Sequence, residues 1–488
     1  MIKKYIWGIK RKIRLLFCPY EKILSGLKAN CYFIGIGGIG MSALAFIMKD
    51  MGFKVSGSDM NESPITKKLE ASGIKVFIGQ KKQNISRDIN VMVVSSAIPK
   101  NNPELEKALE YGIPIAKRSY VLGQMMKRKR GIAIAGTHGK TTTTTMISLI
   151  LKDAGLNPTA MIGGEVKNIG GNFLSGAGIY FVAEACEYDK SFLDLYPEIA
   201  IITNIEADHL DCYKDINDIK NAFKKFVNHI PENGLLIVSA DDNNCLEIVK
   251  SAQCKVVGFG FGSKNRMQGE GLNQYWEVEE VHQREGETAF SLSDGKDLGS
   301  FRLHIPGKHN IANACAAIIV AHHLGIDMNT VREFLSDFRG TNRRFQIKGE
   351  KNGIVVIDDY SHHPTEIKYA LEGAKKFFKT KKILAVFEPH QYSRTYLLKK
   401  EFGHSFGNAD LVIIPGIYES RDSPEDKRRI SAEDVVEEIK SNGTDALYIH
   451  SYDKVAEYIN RNLKENDWVV LTIGAGSIYK VGEKFLNG

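Results

Sequence analysis

Residues 131–142 read Gly131-Ile-Ala-Ile-Ala-Gly-Thr-His-Gly-Lys-Thr-Thr142, an apolar strand, a glycine turn, a lysine, and threonines that open a helix. Gly136 and Gly139 let the backbone aim N–H groups at an anion. Lys140 adds a point charge, and the hydroxyl of Thr141 suits a magnesium ion. The full P-loop pattern would need glycine where Ile134 stands, so the motif is the shortened Gly-x-x-Gly-Lys-Thr. The bland alternative is a tight strand-to-helix turn with an exposed lysine. The apolar strand before and the helix after favour a nucleotide triphosphate, and ATP is the working expectation.

Working outward, 488 residues exceed one ordinary core and suggest about three domains. An apolar fraction of 43% with 25% charged residues is that of a water-soluble globular chain. A net charge of +7 is mild and fits anionic small ligands, while no basic stripe interleaved with aromatics argues for nucleic acid. Seven scattered cysteines without a C-x-x-C pair suggest reduced thiols and a cytoplasmic setting. No apolar run is long enough for a transmembrane helix. At the N-terminus, Ile2, Ile6, Ile9, Ile13 and Leu16 fall at helical spacing among lysines and arginines, a basic amphipathic pattern. It leaves open packing on the first domain, weak contact with an anionic membrane surface, or disorder.

Gly35, Gly37 and Gly40 form G-x-G-x-x-G after the strand around Cys31, with Asp59 about twenty residues on. The pattern requires only a diphosphate at a helix N-terminus, so a nucleotide sugar satisfies it as well as NAD does. In the middle of the chain, Ile179 to Glu184 and Ile199 to Asn204 read as strands ending in polar residues, the second followed by Ile-Glu-Ala-Asp-His209. Strand ends of an open parallel sheet share one edge, so Glu184 and His209 are expected in the crevice of Lys140. Glu184 is the better magnesium ligand by its oxygen chemistry. Asn310 is expected to cap an alanine-rich helix on which Asn313, polar one turn later, suits a purine edge. A last α/β unit, with strands at Ile354 to Ile357, Ile383 to Phe387, Leu411 to Ile414 and Trp468 to Ile473, carries polar clusters on its strand ends.

The ordered set Gly35 to Ser42, Gly136-Thr-His-Gly-Lys-Thr-Thr142, Thr203-Asn-Ile-Glu-Ala-Asp-His-Leu-Asp211, Asp358-Asp-Tyr-Ser-His-His-Pro-Thr-Glu366 and Pro389-His-Gln-Tyr-Ser-Arg-Thr395 resembles the Mur ligases of cell-wall synthesis, from about residue 30 to the C-terminus. The resemblance implies an α/β chain of three domains: a Rossmann-like UDP-binding domain over 30–125 after an extension of 1–29, a P-loop ATPase-like domain with a parallel sheet over 126–335, and a Rossmann-like domain over 336–488. It implies that Gly37, Gly38, Gly40 and Ser42 cradle a UDP diphosphate, with Asp59 near the nucleoside. It places ATP phosphates on Gly136, Thr137, His138, Gly139, Lys140, Thr141 and Thr142. Thr141, Glu184 and His209 would surround magnesium, Asn313 would meet adenine, Arg344 the γ-phosphate and Asp359 the ribose. His362, His363, His390 and Arg394 would handle the amino acid and the acyl intermediate.

The likeness is strongest to members that join L-alanine to UDP-N-acetylmuramate. Cys186 stands where Asp is common, Gln391 where Arg is common, and Tyr418-Glu-Ser-Arg-Asp where a Tyr-Ala-Ala-Gly-Glu-like run is frequent. Lys224 falls near the place where several relatives carry a carbamylated lysine, and no such role is assigned to it. The implied chemistry is amide formation through an acyl phosphate, with Lys140, Arg344 and magnesium neutralising charge and His362 or His363 as base. ATP would engage residues from two domains and UDP those of a third, which favours closure over the substrates in a monomer or homodimer. The rivals are a ligase recycling a whole peptide or using Gly or Ser, an NAD-dependent oxidoreductase, which leaves the P-loop unexplained, and a non-catalytic nucleotide sensor.

Overall fold

The computed structural model describes residues 29–209, 212–262, 271–284, 286–420, 422–463 and 467–488. The N-terminal amphipathic stretch and Leu210-Asp211 lie outside the described residues. The chain forms two compact units, Met1–Tyr275 with Ile319–Ala321, and Trp276–Ile318 with His322–Gly488.

The first unit carries two sheets. One has five parallel strands in the spatial order Lys75–Ile78, Lys54–Asp59, Asn30–Ile34, Val91–Val94, Ile115–Lys117. The order reverses between Asn30–Ile34 and Val91–Val94, and the glycine loop leaves the first of these, at the place where open α/β sheets bind ligands. The other sheet runs Lys255–Gly260, Leu235–Ser239, Ile199–Ile202, Arg130–Ala135, Tyr180–Glu184, Thr159–Val166, Gly171–Ser175, parallel throughout except for its last pair. Its middle strands are buried without alternation, as a sheet covered on both faces requires.

The helix Lys140–Asp153 opens with five consecutive threonines, a poor helical run by propensity. Burial overrides that preference: Thr143, Thr144 and Thr145 are fully enclosed, the Thr145 hydroxyl donates to the Thr141 carbonyl at 2.8 Å, and the Thr144 hydroxyl is buried without a hydrogen-bond partner among the described residues. Helix Ile216–Val227 starts at the Asp215 cap and buries Ile219, Phe223 and Phe226. Phe223 and Phe226 grip Phe192, each with ring centroids 5.0 Å from it. That grip anchors the turn Tyr188–Asp194 beside the phosphate loop.

The second unit contains an antiparallel meander, Gln274–Arg284, Glu287–Ser293 and Asp297–Leu303, and a sheet in the order Gln346–Lys351, Ile354–Asp359, Trp468–Ile473, Lys382–Phe387, Leu411–Ile414, Ala446–Tyr448. Only its first pair is antiparallel. The long helix Lys308–His323 corrects one sequence expectation, because it begins two residues before Asn310, which is therefore not its cap. The Asn310 amide instead donates to the Pro306 carbonyl at 2.6 Å, closing the turn at Gly307.

Candidate functional site

In the first unit the phosphate loop is held from below by the strand beside it. Gly136 has φ +131, and a Cβ there would stand 2.1 Å from the Thr203 hydroxyl, so only glycine fits. Thr203 Oγ1 donates to the His138 carbonyl at 2.5 Å, and the Asn204 side chain clasps His138 at both its N–H (2.8 Å) and its carbonyl (3.1 Å). The Thr137 N–H donates to the Asn204 carbonyl at 3.0 Å, and Thr137 Oγ1 accepts the Glu206 N–H at 2.8 Å. The loop is thus fixed by hydrogen bonds to residues 203–206, which leaves its function to the groups at its rim.

Lys140 is folded back. Its ammonium donates to the carbonyls of Gly136 and, at 3.0 Å, Thr137, and pairs with Glu187 at 3.0 Å. Burial works against this charge, yet Glu187, Cys186 and Glu184 outweigh it and raise the ammonium above its ordinary range. Glu187 also lies 3.6 Å from His209 Nε2, so one carboxylate joins Lys140 and His209. His209 sits at φ +55 against the edge of Tyr188, with ring centroids 5.1 Å apart. Glu184, at the end of its strand, accepts the Gly163 N–H at 2.6 Å, and the adjoining Gly164 packs against Thr141, its Cβ position 3.4 Å from the threonine methyl. Burial and the adjacent Glu187 push the Cys186 thiol up to about 11, so it stays protonated at neutral pH.

Thr141 and Glu184 offer hard oxygen donors beside the same stretch of neighbouring strand, a set that fits magnesium, and the His209 imidazole is the softer third member. Lys224, by contrast, forms an ion pair with Glu247 at 2.9 Å on the outer face of its helix, where an anionic carbamate would meet repulsion.

At the first sheet, the Gly37 N–H donates to Asp59 Oδ2 at 2.9 Å, so Asp59 shapes the glycine loop directly. Gly38 is the N-cap of the helix Ile39–Asp50. The Ser42 hydroxyl, buried in that helix, donates to the Ile39 carbonyl at 3.0 Å.

In the second unit, Asn313 packs behind Asn310, with its amide 3.4 Å from Asn310 Oδ1. Asp359 accepts the Phe345 N–H at 2.7 Å and the Ser361 N–H at 2.8 Å, which ties the strand end to the left-handed turn at Arg343 and Phe345. Arg344 lies over Tyr360 and 3.6 Å from Glu366, whose other oxygen is 3.6 Å from His362 Nδ1. His363 caps the helix Pro364–Phe377, its Nδ1 accepting the Thr365 N–H at 3.4 Å, so that nitrogen is committed to structure. The His362 and His390 rings are 6.3 Å apart, and His390 stacks on Tyr418. Gln391 is turned to φ +73 and donates to the Ser420 carbonyl at 2.9 Å. Arg394 lies in the short helix that follows, Tyr392–Leu397.

The strand ends thus gather Lys140, Glu184 and His209 at one edge of the first unit, and Arg344, His362 and His390 at one edge of the second. Sequence reasoning passed over Glu187, which lies three residues beyond the strand end at Glu184 and meets Lys140 and His209 only through the turn that follows. Thr203 and Asn204 stand out in the sequence as a strand end, and the structure adds their brace on His138.

The chain matches the catalytic domain of the Mur ligase family over residues 30–130, the Mur ligase middle domain over 134–321 and the glutamate ligase domain over 343–476. It is 46% identical over 461 residues to the UDP-N-acetylmuramate–L-alanine ligase of Acetivibrio thermocellus, covering 94% of this chain and 96% of that protein. Among solved structures it is similar to the UDP-N-acetylmuramate-alanine ligase of Thermotoga maritima, with a TM-score of 0.76 and 30% identity over 94% of this chain and 98% of that one. It is also similar to a murein peptide ligase from Psychrobacter arcticus, with a TM-score of 0.68 and 25% identity over 94% and 98%. With family matches in each part of the chain and a relative of that identity along nearly its whole length, the chain belongs to the Mur ligase family.

Proposed function

We propose that this protein is an ATP-dependent ligase that joins L-alanine to the lactyl carboxylate of UDP-N-acetylmuramate, releasing ADP and phosphate, as a cytoplasmic step of peptidoglycan precursor synthesis. The observation that carries the reading is the 46% identity, along nearly the full chain, to a protein named for that reaction. It is supported by the glycine loop at the switch point of the first sheet and the braced phosphate loop of the second.

A carboxylate resists attack by an amine because it is already anionic, so it needs a leaving group. A lactyl oxygen takes the γ-phosphoryl group from ATP, and ADP departs. The neutral amine of alanine then attacks the acyl carbon, the carbon–oxygen bond to phosphate breaks, and the nitrogen gives up a proton. In this scheme Lys140 leaves its loop carbonyls for the transferring phosphoryl group, and Glu187 keeps it charged until then. Arg344 adds the second positive charge. Magnesium, held by Thr141, Glu184 and His209, supplies further charge neutralisation when bound. Asn313 and Asp359 position adenosine, while Gly37, Gly38, Gly40 and Ser42 carry the diphosphate and Asp59 sets the loop. Of the two histidines, His362 is the better base: its Nδ1 faces the Tyr360 carbonyl at 3.2 Å and donates there, which leaves a lone pair on Nε2, whereas Nδ1 of His363 accepts at the helix cap and the proton falls on Nε2. His390 and Arg394 hold the alanine carboxylate. The domain limits follow the sequence reading, 30–125, 126–335 and 336–488.

The test is phosphate release from ATP with magnesium as each substrate is withheld in turn. It should require both UDP-N-acetylmuramate and L-alanine. Turnover with a tripeptide or with glycine in preference to alanine would replace alanine in this assignment.

A further inference from the structure

Among the described residues, Arg118 is a cation without a hydrogen-bond or ion-pair partner. It is largely enclosed in the first unit, where burial lowers its guanidinium from the ordinary range, yet it forms no hydrogen bond or ion pair with any described residue. Both chain neighbours, in contrast, are committed. Lys117 pairs with Asp189 at 2.7 Å, and the Ser119 hydroxyl donates to Asp194 at 2.5 Å. Both acceptors belong to the turn Tyr188–Asp194, whose Asp189 and Lys190 are held in the left-handed region at φ +52 and +55. A residue stapled on each side, with its own charge left over, is positioned for something other than folding. Leaving a guanidinium enclosed and unpaired is costly unless an anion arrives.

The direction of the side chain says which anion. The guanidinium lies over Gly40, the last glycine of the G-x-G-x-x-G loop. A Cβ built there would stand 3.3 Å from Nη1, 3.5 Å from Cζ and 3.6 Å from Nε, so the group presents its broad face to the loop. The same helix start is held on another side by Asn172, whose amide donates to the Ile39 carbonyl at 3.0 Å. The guanidinium is also within electrostatic reach of Cys186 and Glu184, two groups that act on Lys140 as well. Arg118 therefore lies against the glycine loop and within reach of the charges that act on Lys140.

We propose that Arg118 is a substrate-binding residue whose guanidinium takes an oxyanion of the nucleotide sugar, on the path from the diphosphate at the glycine loop to the carboxylate that is phosphorylated near Lys140. The inference rests on the proposed substrate. Planar, two-pronged donation to phosphate or carboxylate is what arginine does better than lysine.

The experiment is titration calorimetry of full-length wild type, Arg118→Met and Arg118→Lys with UDP-N-acetylmuramate, with UDP and with magnesium ADP, alongside thermal melting. Arg118→Met should weaken UDP-N-acetylmuramate by about tenfold or more, as loss of a charge-assisted contact does. It should leave magnesium ADP affinity within about twofold of wild type, and Arg118→Lys should recover part of the loss. A deficit shared by UDP places the guanidinium on the diphosphate, and one confined to UDP-N-acetylmuramate places it on the lactyl carboxylate. Equal UDP-N-acetylmuramate affinity in wild type and Arg118→Met overturns the inference alone. A parallel loss of magnesium ADP binding, or a lowered melting temperature in both variants, would make Arg118 a structural residue and also overturn it. Wild type that binds no UDP-N-acetylmuramate defeats the proposed function itself.

Discussion

Replacing Gly163 with alanine should separate activity from folding. Gly163 does not use the left-handed region, so alanine is admissible to its backbone. The added Cβ, however, would stand 2.5 Å and 2.6 Å from the two oxygens of Glu184, where ordinary contact begins near 3.4 Å. The carboxylate has to retreat by about 0.9 Å, and the clash falls on the free end of a side chain, which can rotate away. Folding then loses at most one hydrogen bond, from the Gly163 N–H, worth about 1 kcal/mol. Catalysis loses more, since a misplacement of about 1 Å in a positioning group can cost about 100-fold in rate, or about 2.7 kcal/mol of barrier. Steady-state rates with varied magnesium and ATP, measured beside a urea melt, give both numbers. Wild-type kcat and KM for ATP in a Gly163→Ala protein of normal stability would show that Glu184 has no part in the reaction and refute its assignment.

Lys140→Ala should cut kcat by a factor that corresponds to about 3 to 4 kcal/mol while UDP-N-acetylmuramate affinity, read by calorimetry, stays near wild type. A variant that keeps its rate and loses the UDP sugar would reverse the loop assignments. Asn204→Ala removes both clasps on His138 and should destabilise the protein by about 2 kcal/mol, seen in chemical denaturation, because two backbone groups lose their partner. Glu388 is buried beside Tyr452, whose hydroxyl donates to it, and burial raises its carboxyl above the usual range. Its folded state therefore holds the proton to higher pH than the unfolded chain does, and ionising it costs stability as pH rises above the unfolded value of about 4.5. Glu388→Gln should gain stability relative to wild type as pH goes from 4 to 7 in parallel melts, and a difference that stays flat or falls would contradict that sign.

The sequence carried the architecture because its glycine loops and apolar strands are local signals. The strands at Val91, Ile199 and Ile383 are legible from runs of buried residues, and the turns from glycine. What escaped was set by tertiary contact. The edge strands Gln346–Lys351 and Ala446–Tyr448 are short or polar and give no apolar run. Asn310 looks like a cap by residue type, but the turn at Gly307 starts the helix earlier. His363 stands beside His362 as a candidate base in the motif, and only the fold shows that its Nδ1 also caps a helix start. Arg118 is one basic residue among many in its neighbourhood, and only the stapling of Lys117 and Ser119 to a distant turn sets it apart. The midsequence edge was found in part because Glu184 ends a clear strand. Glu187, three residues later, needed the fold to bring it between Lys140 and His209.

The central claim is an acyl phosphate made from the substrate's own carboxylate, and oxygen tracing tests it most directly. With UDP-N-acetylmuramate labelled with ¹⁸O in the lactyl carboxylate, and with unlabelled ATP and L-alanine, the released phosphate should carry one ¹⁸O per turnover when read by mass spectrometry or ³¹P shift. Phosphate free of label, with amide product formed in the same tube, would contradict the mechanism and with it the roles given to Lys140 and Arg344.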